Sequence, residues 1–482
     1  MNTYMAVIGM EIHAELATKS KMFCACANDP FASEPNTNVC PVCLGLPGAL
    51  PTLNVEAIRM LVTLAADLGS SVDAVTKWDR KNYFYPDLPK GYQISQFDQP
   101  LLKHGHIELS ATEDWELERI HLEEDTGSLS HAADSTSLVD FNRAGVPLAE
   151  LVTKAIVVPL NLAPGFAKRF CETYQFLLQR RGISMADMEK GQMRCEANIS
   201  VIPTESENSN VHLASADELT GTKIEVKNLN SFRAVERAVK FEIDRQIQAL
   251  EVGESLRMET RGWDETKQQT VVQRAKETSA EYRYFPEPDL PAINPHALFP
   301  DELVAAGLPF PHQVATQLVT DYGLSNRDAD YFTTNAQAFA DFAELTAQAQ
   351  DMPEVLKTSA SFAVNFDSAR SISVSERVAI ATLIVEGKLP RHQLRPLFDA
   401  MVSQSKTADQ VIAELGLADQ ATDDEVAVLI AKLMTDEADA VAKYKAGKHE
   451  TLGYLIGQAM RAAGGKLDPT AVRTALMKEL NQ

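Results

Sequence analysis

The sequence predicts a mixed α+β fold, in which a part built on a largely antiparallel sheet is followed by two helical parts. Three segments before residue 230 alternate apolar and polar side chains, as strands do when one face covers a core. Other segments repeat apolar residues at helical spacing. Seven of the chain's 23 prolines fall between residues 286 and 311, which suits a domain junction because proline interrupts helices.

The alternating segments are residues 7–16, 193–201 and 223–227. Their polar faces carry charged and titratable side chains: Glu11, His13, Arg194, Glu196, Glu225 and Lys227. Carboxylates with an imidazole can hold Mg²⁺, and nearby cations can neutralise phosphate, so this face suits phosphoryl transfer. The alternative interpretation is an ordinary solvated sheet face.

Helical spacing of apolar residues predicts helices within residues 54–69, 164–182 and 231–253, and a helical face over 452–460. Asn54 is placed to cap the first of these helices and Gly69 to end it. The fourth helix should end at Gly464 and Gly465. The pattern predicts one helix after another from about residue 312 onward, and we expect domains at 1–294, 295–405 and 406–482.

Chain length and net charge limit the number of domains and the kinds of partner that the protein can bind. The chain has 482 residues, which corresponds to roughly three domains, with two domains as the alternative. Its 45 Lys and Arg against 67 Asp and Glu give a formal net charge of −22, so any contact with nucleic acid must use a local patch. One such patch is the last 40 residues, which carry seven Lys and Arg against three Asp and Glu.

Six cysteines are too few for a disulfide scaffold, and no signal peptide is recognisable, so we expect reduced thiols and a cytoplasmic protein. No run of apolar residues reaches about 18, so we expect no membrane span. Cys24, Cys26, Cys40 and Cys43 form two close pairs, a spacing typical of a structural zinc site. The alternative is four unliganded thiols. Cys171 and Cys195 lie on apolar faces and are predicted core residues.

Two further segments carry candidate chemistry. Residues 120–127 include Glu123, Glu124 and Asp125, which cannot all point the same way along one strand. Residues 81–92 interleave aromatic and basic side chains, so a base could stack there, but the pattern favours a structural loop over a base-binding site. No phosphate-binding glycine motif is present, so a nucleotide would have to bind on the sheet with metal carboxylates.

Several long motifs resemble the B-subunit family of the aspartyl/glutamyl-tRNA amidotransferases, over nearly the whole chain. They include GMEIHAEL (9–16), CPVCLGLPG (40–48), KNYFYPDLPKGYQISQ (81–96), HLEEDTG (121–127), DFNRAGVPL (140–148), EVKNLNS (225–231), YRYFPEPDLP (282–291) and LGYLIGQAM (452–460).

The resemblance implies a glutamine-synthetase-like cradle domain, then a helical domain and a small helical tail. It implies a carbon–nitrogen ligase that uses ATP and Mg²⁺ to phosphorylate the side-chain carboxylate of mischarged Glu-tRNA(Gln) or Asp-tRNA(Asn). Ammonia from glutamine then displaces the phosphate. The implied partners are the amidase known as the A subunit, which releases the ammonia, the small C subunit, and the mischarged tRNA.

The resemblance also assigns roles to residues. Glu11 and His13 would bind Mg²⁺ with one or both of Glu123 and Glu124, and we predict Glu124 as the third ligand. The weaker candidates for metal binding or ammonia handling are Glu150, Glu196 and Glu225. The candidate ATP or phosphate contacts are Lys81, Arg143 and Lys227. The candidate tRNA contacts in the tail are Lys448, Arg461 and Lys466; a solvated helical surface is their alternative.

Two rival functions stay open at this point. One is a free-standing ATP-dependent amide ligase that acts on a small acid, and the other is a non-catalytic tRNA-binding scaffold. For the amidotransferase, the expected substrate is Glu-tRNA(Gln), Asp-tRNA(Asn) or both.

Overall fold

The computed structural model describes residues 3–31, 34–131, 136–204, 210–215, 218–275, 282–334, 336–417, 423–462 and 469–480. The chain divides into two compact units: Met1–Thr316 with Thr333–Ala336, and Gln317–Phe332 with Gln337–Gln482. The first combines a large sheet with helices and the second is helical, so the predicted mixed α+β class is confirmed. The finer division at residues 294 and 405 stays a prediction.

The strands are β1 (Thr3–Glu15), β2 (Ser71–Val72), β3 (Asp79–Asn82), β4 (Tyr92–Ser95), β5 (Leu102–Lys103), β6 (His106–Ser110), β7 (Glu113–Glu124), β8 (Ser128–His131), β9 (Ser137–Asp140), β10 (Pro147–Thr153), β11 (Ile156–Pro159), β12 (Met193–Thr204), β13 (His212–Leu213), β14 (Ile224–Leu229), β15 (Glu259–Asp264), β16 (Gln269–Ala275) and β17 (Phe285–Pro286).

The helices are α1 (Val55–Leu68), α2 (Ala163–Arg180), α3 (Phe232–Glu251), α4 (Pro295–Leu298), α5 (Pro300–Leu303), α6 (Pro311–Tyr322), α7 (Asn326–Thr333), α8 (Ala336–Ala349), α9 (Pro353–Asn365), α10 (Asp367–Arg370), α11 (Val374–Val385), α12 (Leu394–Gln404), α13 (Ala408–Leu415), α14 (Asp423–Asp436), α15 (Ala438–Lys445), α16 (Thr451–Ala462) and α17 (Pro469–Leu480), with a 3₁₀ turn at Arg391–Gln393.

The main sheet has twelve strands, and its longest path runs β16-β15-β14-β12-β1-β10-β7-β5-β2. Among the described strand pairs of this sheet, β14 with β15 is the one parallel pair. The central strand β1 pairs with β10, β11 and β12. A separate three-stranded sheet has the order β17-β3-β4.

The core of the first unit lies between the sheet and its helices. On β1, Ile8, Met10 and Ile12 are fully buried, as alternation predicts, and they share one apolar cluster with Phe166 and Phe170 of α2. Burying each of these side chains stabilises the fold by roughly 1.5–3 kcal/mol. Covering one face of the sheet with helices leaves its polar face free for chemistry.

The predicted helices begin and end close to where the sequence places them. Asn54 Oδ1 accepts a hydrogen bond from the Glu56 N–H at 3.0 Å, and Gly69 ends α1 with a φ of 60°. Ser231 Oγ caps α3 by accepting from the Ala234 N–H at 3.0 Å. A β-carbon is disfavoured at the φ of Gly69, and glycine avoids that cost.

The second unit is built from helices alone in its described residues. Towards its C-terminal end, Ile430, Leu455, Ala459, Val472 and Leu476 form a buried cluster of their own. The predicted helical face over 452–460 therefore packs as expected, in α16, while Gly464 and Gly465 lie outside the described residues. Within the described part of the chain, no helix combines the length and apolar character that a membrane crossing requires.

Candidate active site and cysteine centre

Strand register assembles a row of charged side chains across the polar face of the sheet. His13 of β1 lies opposite Glu150 of β10 on one side and opposite Arg194 of β12 on the other. Glu150 in turn lies opposite His121 of β7. Residues directly opposite in antiparallel strands point to the same face, so four neighbouring strands contribute to one site.

Five side chains of this face form a compact group, which we call the acidic cluster: Glu11, His13, His121, Glu123 and Glu150. His13 Nε2 lies 3.4 Å from Glu150 Oε2, 3.6 Å from Glu123 Oε1 and 4.0 Å from Glu11 Oε1. His121 Nε2 lies 3.1 Å from the same Oε2 of Glu150. Glu150 therefore lies between two imidazoles and orients both.

A second carboxylate group adjoins the acidic cluster. This second group consists of Glu11, which also belongs to the acidic cluster, Glu196 and Glu225. One ligand atom of each lies within 4.8 Å of the others. Lys227 Nζ lies 2.9 Å from Glu196 Oε2 and 3.4 Å from Glu225 Oε1. The predicted phosphate contact Lys227 thus lies among three of the predicted catalytic carboxylates.

Burial and crowding shift the pKa values of this face. Burial, followed by repulsion from Glu150 and Glu196, raises the pKa of Glu11 to about 7. Burial lowers the pKa of His13, but the charge of Glu150 and its hydrogen bond, with the charge of Glu123, outweigh it and raise the pKa to about 9. Despite its burial, Glu150 has a pKa well below the ordinary value because His121 and His13 stabilise its charge.

The donor set fits a divalent cation. Glu11, His13 and Glu150 place one ligand atom each within 4.8 Å of one another, and so do His121, Glu123 and Glu150. Carboxylate oxygens are the donors that Mg²⁺ prefers. A cation at this position would relieve the repulsion that raises the pKa of Glu11.

Lys81 of β3 reaches the same face. The carboxylates of Glu123 and Glu150 outweigh its burial and raise its pKa. Ser95 of β4 donates a hydrogen bond to Glu123 Oε2 at 3.0 Å. The short β3–β4 hairpin therefore brings a cation and a hydroxyl to the carboxylates, which is an arrangement suited to a bound phosphate.

The assignment of Glu124 as the third metal ligand is corrected, because the structure does not bring Glu124 together with Glu11 and His13. Successive side chains of a strand point to opposite faces, so Glu123 faces His13 and Glu124 faces away. Lys90 Nζ lies 2.7 Å from Glu124 Oε1, and the Ile94 N–H donates to the same oxygen at 2.9 Å. Together with Lys90 and Cys43, Glu124 lines a separate cavity of about 270 Å³.

Arg143, a predicted phosphate contact, lies beside Asp125. Its Nε is 3.5 Å from Asp125 Oδ2, and its guanidinium donates to the carbonyl oxygens of Thr126 and Gly127 at 3.1 and 3.0 Å. Arg194 also pairs with Asp125, at 2.7 Å. These contacts tie Arg143 to the turn after β7.

His121 is a site residue that the sequence patterns alone did not single out. Its signal was present, because it lies two residues before Glu123 in a strand and so shares its face. The register that sets it opposite Glu150 joins segments far apart along the chain, and that register is what makes it part of the site.

The four predicted zinc ligands also come together. The sulfurs of Cys24, Cys26, Cys40 and Cys43 lie within 4.8 Å of one another, and those of Cys40 and Cys43 are 3.8 Å apart. Four sulfurs around tetrahedral zinc at about 2.3 Å would be spaced by about 3.8 Å, so the site fits zinc. Cys171 and Cys195 lie apart from them in the core, as predicted.

Buried polar groups support this cysteine centre. The Cys40 N–H donates to Cys43 Sγ at 3.1 Å. Lys21 is completely buried, donates to the Asn38 carbonyl oxygen at 2.9 Å, and places its ammonium 3.8 Å from Cys43 Sγ. The hydrogen bond from Cys24, with the smaller effects of Cys40 and Lys21, lowers the pKa of Cys43 to about 5 against the opposing effect of burial. A thiolate is the form that binds zinc.

Two of the three predicted tRNA contacts can be placed. Lys448 follows α15 and Arg461 lies in the last turn of α16, and both side chains are exposed. Lys466 lies outside the described residues. An RNA contact at this position stays a prediction.

The chain matches two family models that together span most of its length. The model described as the GatB/GatE catalytic domain covers residues 6–299, and the model described as the GatB domain covers residues 330–480. The acidic cluster and the cysteine centre both lie within the first match.

Full-length relatives agree with the family models. The B subunits of the aspartyl/glutamyl-tRNA(Asn/Gln) amidotransferases from Roseiflexus sp., Thermoanaerobacter pseudethanolicus and Thermotoga maritima are 38%, 39% and 38% identical to this chain. Each alignment covers 99% of this chain and 98%, 100% and 99% of the respective relative. The chain therefore belongs to the family of the B subunit of the aspartyl/glutamyl-tRNA(Asn/Gln) amidotransferases.

Proposed function

We propose that this chain, within a glutamine-dependent amidotransferase complex, converts mischarged Glu-tRNA(Gln), Asp-tRNA(Asn) or both into the amidated forms. The γ-phosphoryl group of ATP is transferred to the side-chain carboxylate, and ammonia then displaces the phosphate. The observation that carries the proposal is the acidic cluster, in which three carboxylates and two imidazoles converge beside Lys81.

Phosphorylation solves the chemical difficulty of the reaction. Oxide is a poor leaving group from a carboxylate, whereas phosphate leaves readily once ammonia has added to the carbonyl carbon. Phosphoryl transfer needs reactants held in line and stabilisation of charge on the phosphate oxygens. Bound Mg²⁺ would supply part of that stabilisation.

The chain's own residues divide this work. In the proposal, Glu11, His13 and Glu150 hold the metal together with Glu123, which takes the place first given to Glu124. Lys81 neutralises charge on the transferred phosphoryl group. Glu150, placed between His13 and His121, keeps both rings in position.

The second carboxylate group suits the ammonia step. Nitrogen that attacks the acyl phosphate becomes positively charged and must lose a proton before the amide is stable. Glu196 and Glu225 are the proposed acceptors of that proton, and Lys227 holds both in place. The ammonia itself comes from the amidase, or A, subunit, and the small C subunit completes the proposed complex.

The remaining parts support this chemistry in the proposal. Residues 1–294 form a glutamine-synthetase-like cradle, stabilised by a structural zinc in the cysteine centre. Residues 295–405 form a helical domain, and residues 406–482 form a tail whose exposed Lys448 and Arg461 contact the tRNA. The proposed compartment is the cytoplasm, where translation uses the product.

Turnover by the complete complex tests the proposal against the two rival functions. With ATP, Mg²⁺ and ammonium, we expect amide product from mischarged tRNA and none from free glutamate or aspartate. Product from the free amino acids would identify a small-acid ligase. Binding of tRNA with no ATP-dependent product on either mischarged tRNA would identify a scaffold.

A further inference from the structure

Four aromatic rings form a continuous surface at the edge of the small sheet, and we call Tyr83, Phe97, Tyr282 and Tyr284 the aromatic surface. The ring centroids of Tyr83 and Tyr282 lie 6.2 Å apart, and those of Tyr282 and Tyr284 lie 6.0 Å apart. Tyr284 stacks on Phe97 at 4.2 Å with the two planes 8° apart. Phe97 is 56% exposed and Tyr282 is 36% exposed, so part of this surface faces solvent.

The main chain holds these rings in place. The Asn82 N–H donates to the Tyr282 carbonyl oxygen at 2.9 Å, and Asn82 Nδ2 donates to the Arg283 carbonyl oxygen at 2.8 Å. The Phe97 N–H donates to Asp79 Oδ2 at 3.1 Å. A surface fixed in this way loses little conformational entropy when a ligand binds.

One end of the aromatic surface adjoins the acidic cluster. Lys81 Nζ lies 5.2 Å from the centre of the Tyr282 ring, and the charges of Glu123 and Glu150 act on the same ammonium group. Burial, with Glu150 and Glu123, also raises the pKa of Tyr284 to about 12, although Lys81 opposes the shift. The rings therefore lead from solvent to the carboxylates through Lys81.

Flat π faces beside a cation match one class of ligand. Unpaired nucleotides present bases that stack on aromatic rings and phosphates that attract a cation. In the proposed reaction the reacting carboxylate belongs to an amino acid esterified to the terminal ribose, so the terminal bases must lie next to the acidic cluster. We propose that the aromatic surface stacks the unpaired 3′-terminal nucleotides of the aminoacyl-tRNA, an inference that rests on the proposed function.

Two other occupants are less suited to this surface. The adenine of ATP is a single base, whereas four contiguous rings offer stacking faces to more than one. A partner protein seated on the rings would cover the approach from Phe97 to Lys81 and so obstruct the entry of the aminoacyl end.

The test compares substitutions of Phe97 in the complete complex. Phe97→Leu keeps an apolar side chain but removes the π face, and Phe97→Trp restores one. Phe31→Leu is the matched control, because Phe31 is 58% exposed and lies outside the aromatic surface. The kinetic readouts are the KM for mischarged tRNA, the KM for ATP and kcat. The binding readout is the affinity for a labelled tetranucleotide RNA, ACCA, which represents the unpaired 3′ end of the tRNA.

We expect Phe97→Leu to raise the KM for mischarged tRNA about 5- to 100-fold and to weaken ACCA binding, with kcat at saturation within about twofold of wild type. Phe97→Trp and Phe31→Leu should keep the wild-type values. An unchanged tRNA KM in Phe97→Leu would overturn the inference. So would a rise confined to the KM for ATP, or dissociation of the complex on gel filtration. A wild-type complex that binds ACCA through Phe97 but forms no amide would instead refute the proposed function.

Discussion

The Nε2 atom of His13 lies 3.4 Å from Oε2 of Glu150, the residue directly opposite it on the neighbouring strand. The same carboxylate oxygen lies 3.1 Å from His121 Nε2. One buried carboxylate thus sets the position of two imidazoles. This relationship places Glu150 at the centre of the site rather than at its periphery.

Replacing Glu150 should therefore impair catalysis more than folding. Glu150→Gln keeps the size of the side chain and a hydrogen-bonding group for each imidazole, but it removes the charge that metal and histidines share. We expect the rate of ATP-dependent amidation to fall about 100-fold or more in the complete complex. Glu118→Gln, which changes an exposed carboxylate of β7, should keep wild-type activity. Equal activity of the two variants would exclude Glu150 from the site.

Stability of the metal-free chain should depend on pH through His13. The folded pKa of about 9 exceeds the ordinary 6.5, so this histidine's contribution is complete below pH 6.5 and disappears as the pH rises towards 9. The pKa of Glu11 is raised from 4.5 to about 7, so its contribution to stability also falls as the pH rises, but between pH 4.5 and 7. His121 adds to the first effect, since its pKa is raised too.

Mg²⁺ should reverse this trend, because the cation binds the deprotonated groups. Thermal unfolding at pH 6, 7.5 and 9, with and without Mg²⁺, measures the effect. We expect the Mg²⁺-induced rise in Tm to be larger at pH 9 than at pH 6, and His13→Asn to flatten the pH dependence between 6.5 and 9. A Mg²⁺-induced rise in Tm that is the same at every pH would contradict a metal site that includes His13.

The cysteine centre predicts a bound metal. Purified chain should carry about one zinc, and Cys43→Ser should lower this below about half an equivalent and destabilise the region around residues 24–43. Cys171→Ala alters a core thiol outside the centre and should retain full zinc. Mass spectrometry or elemental analysis gives the content. Zinc retained in Cys43→Ser, or absent from the wild type, would argue against the assignment.

The tail predicts an electrostatic contact that salt weakens. Changing Lys448 and Arg461 together to alanine should reduce tRNA affinity. The negative slope of log affinity against log salt should become less steep by about 2, one unit for each lost phosphate contact. Filter binding at several salt concentrations measures this slope. Asp439→Ala on α15 is a control that removes a negative charge from the same part of the chain. An unchanged slope in the double variant would leave this surface without a role in binding.

Local patterns predicted much of the fold. Alternation put Glu11 and His13 on the polar face of β1, and Asn54 marked the start of α1, because these signals lie within a few residues of each other. The same alternation separates Glu123 from Glu124, but which of them faces the site depends on the register of β7 against β10.

The pairing register of distant strands brings together site residues that local sequence patterns could not predict to be neighbours. Glu150 ranked as a weaker candidate and His121 was missed, because their closeness to His13 arises only when β1, β10 and β7 pair. Lys81 reaches the acidic cluster from the separate three-stranded sheet, and no local pattern encodes that approach. The cysteine centre was predictable because its ligands are close in sequence.

Isotope transfer shows whether the acidic cluster promotes phosphoryl transfer to the side-chain carboxylate. The complete complex would react with ATP, Mg²⁺, ammonium and Glu-tRNA(Gln) labelled with ¹⁸O in that carboxylate, and the released phosphate would be analysed by mass spectrometry. We expect one ¹⁸O in each phosphate formed by the wild type, and almost no labelled phosphate from Glu150→Gln. Amide product accompanied by unlabelled phosphate would refute the proposed mechanism, because the carboxylate would then never have been phosphorylated.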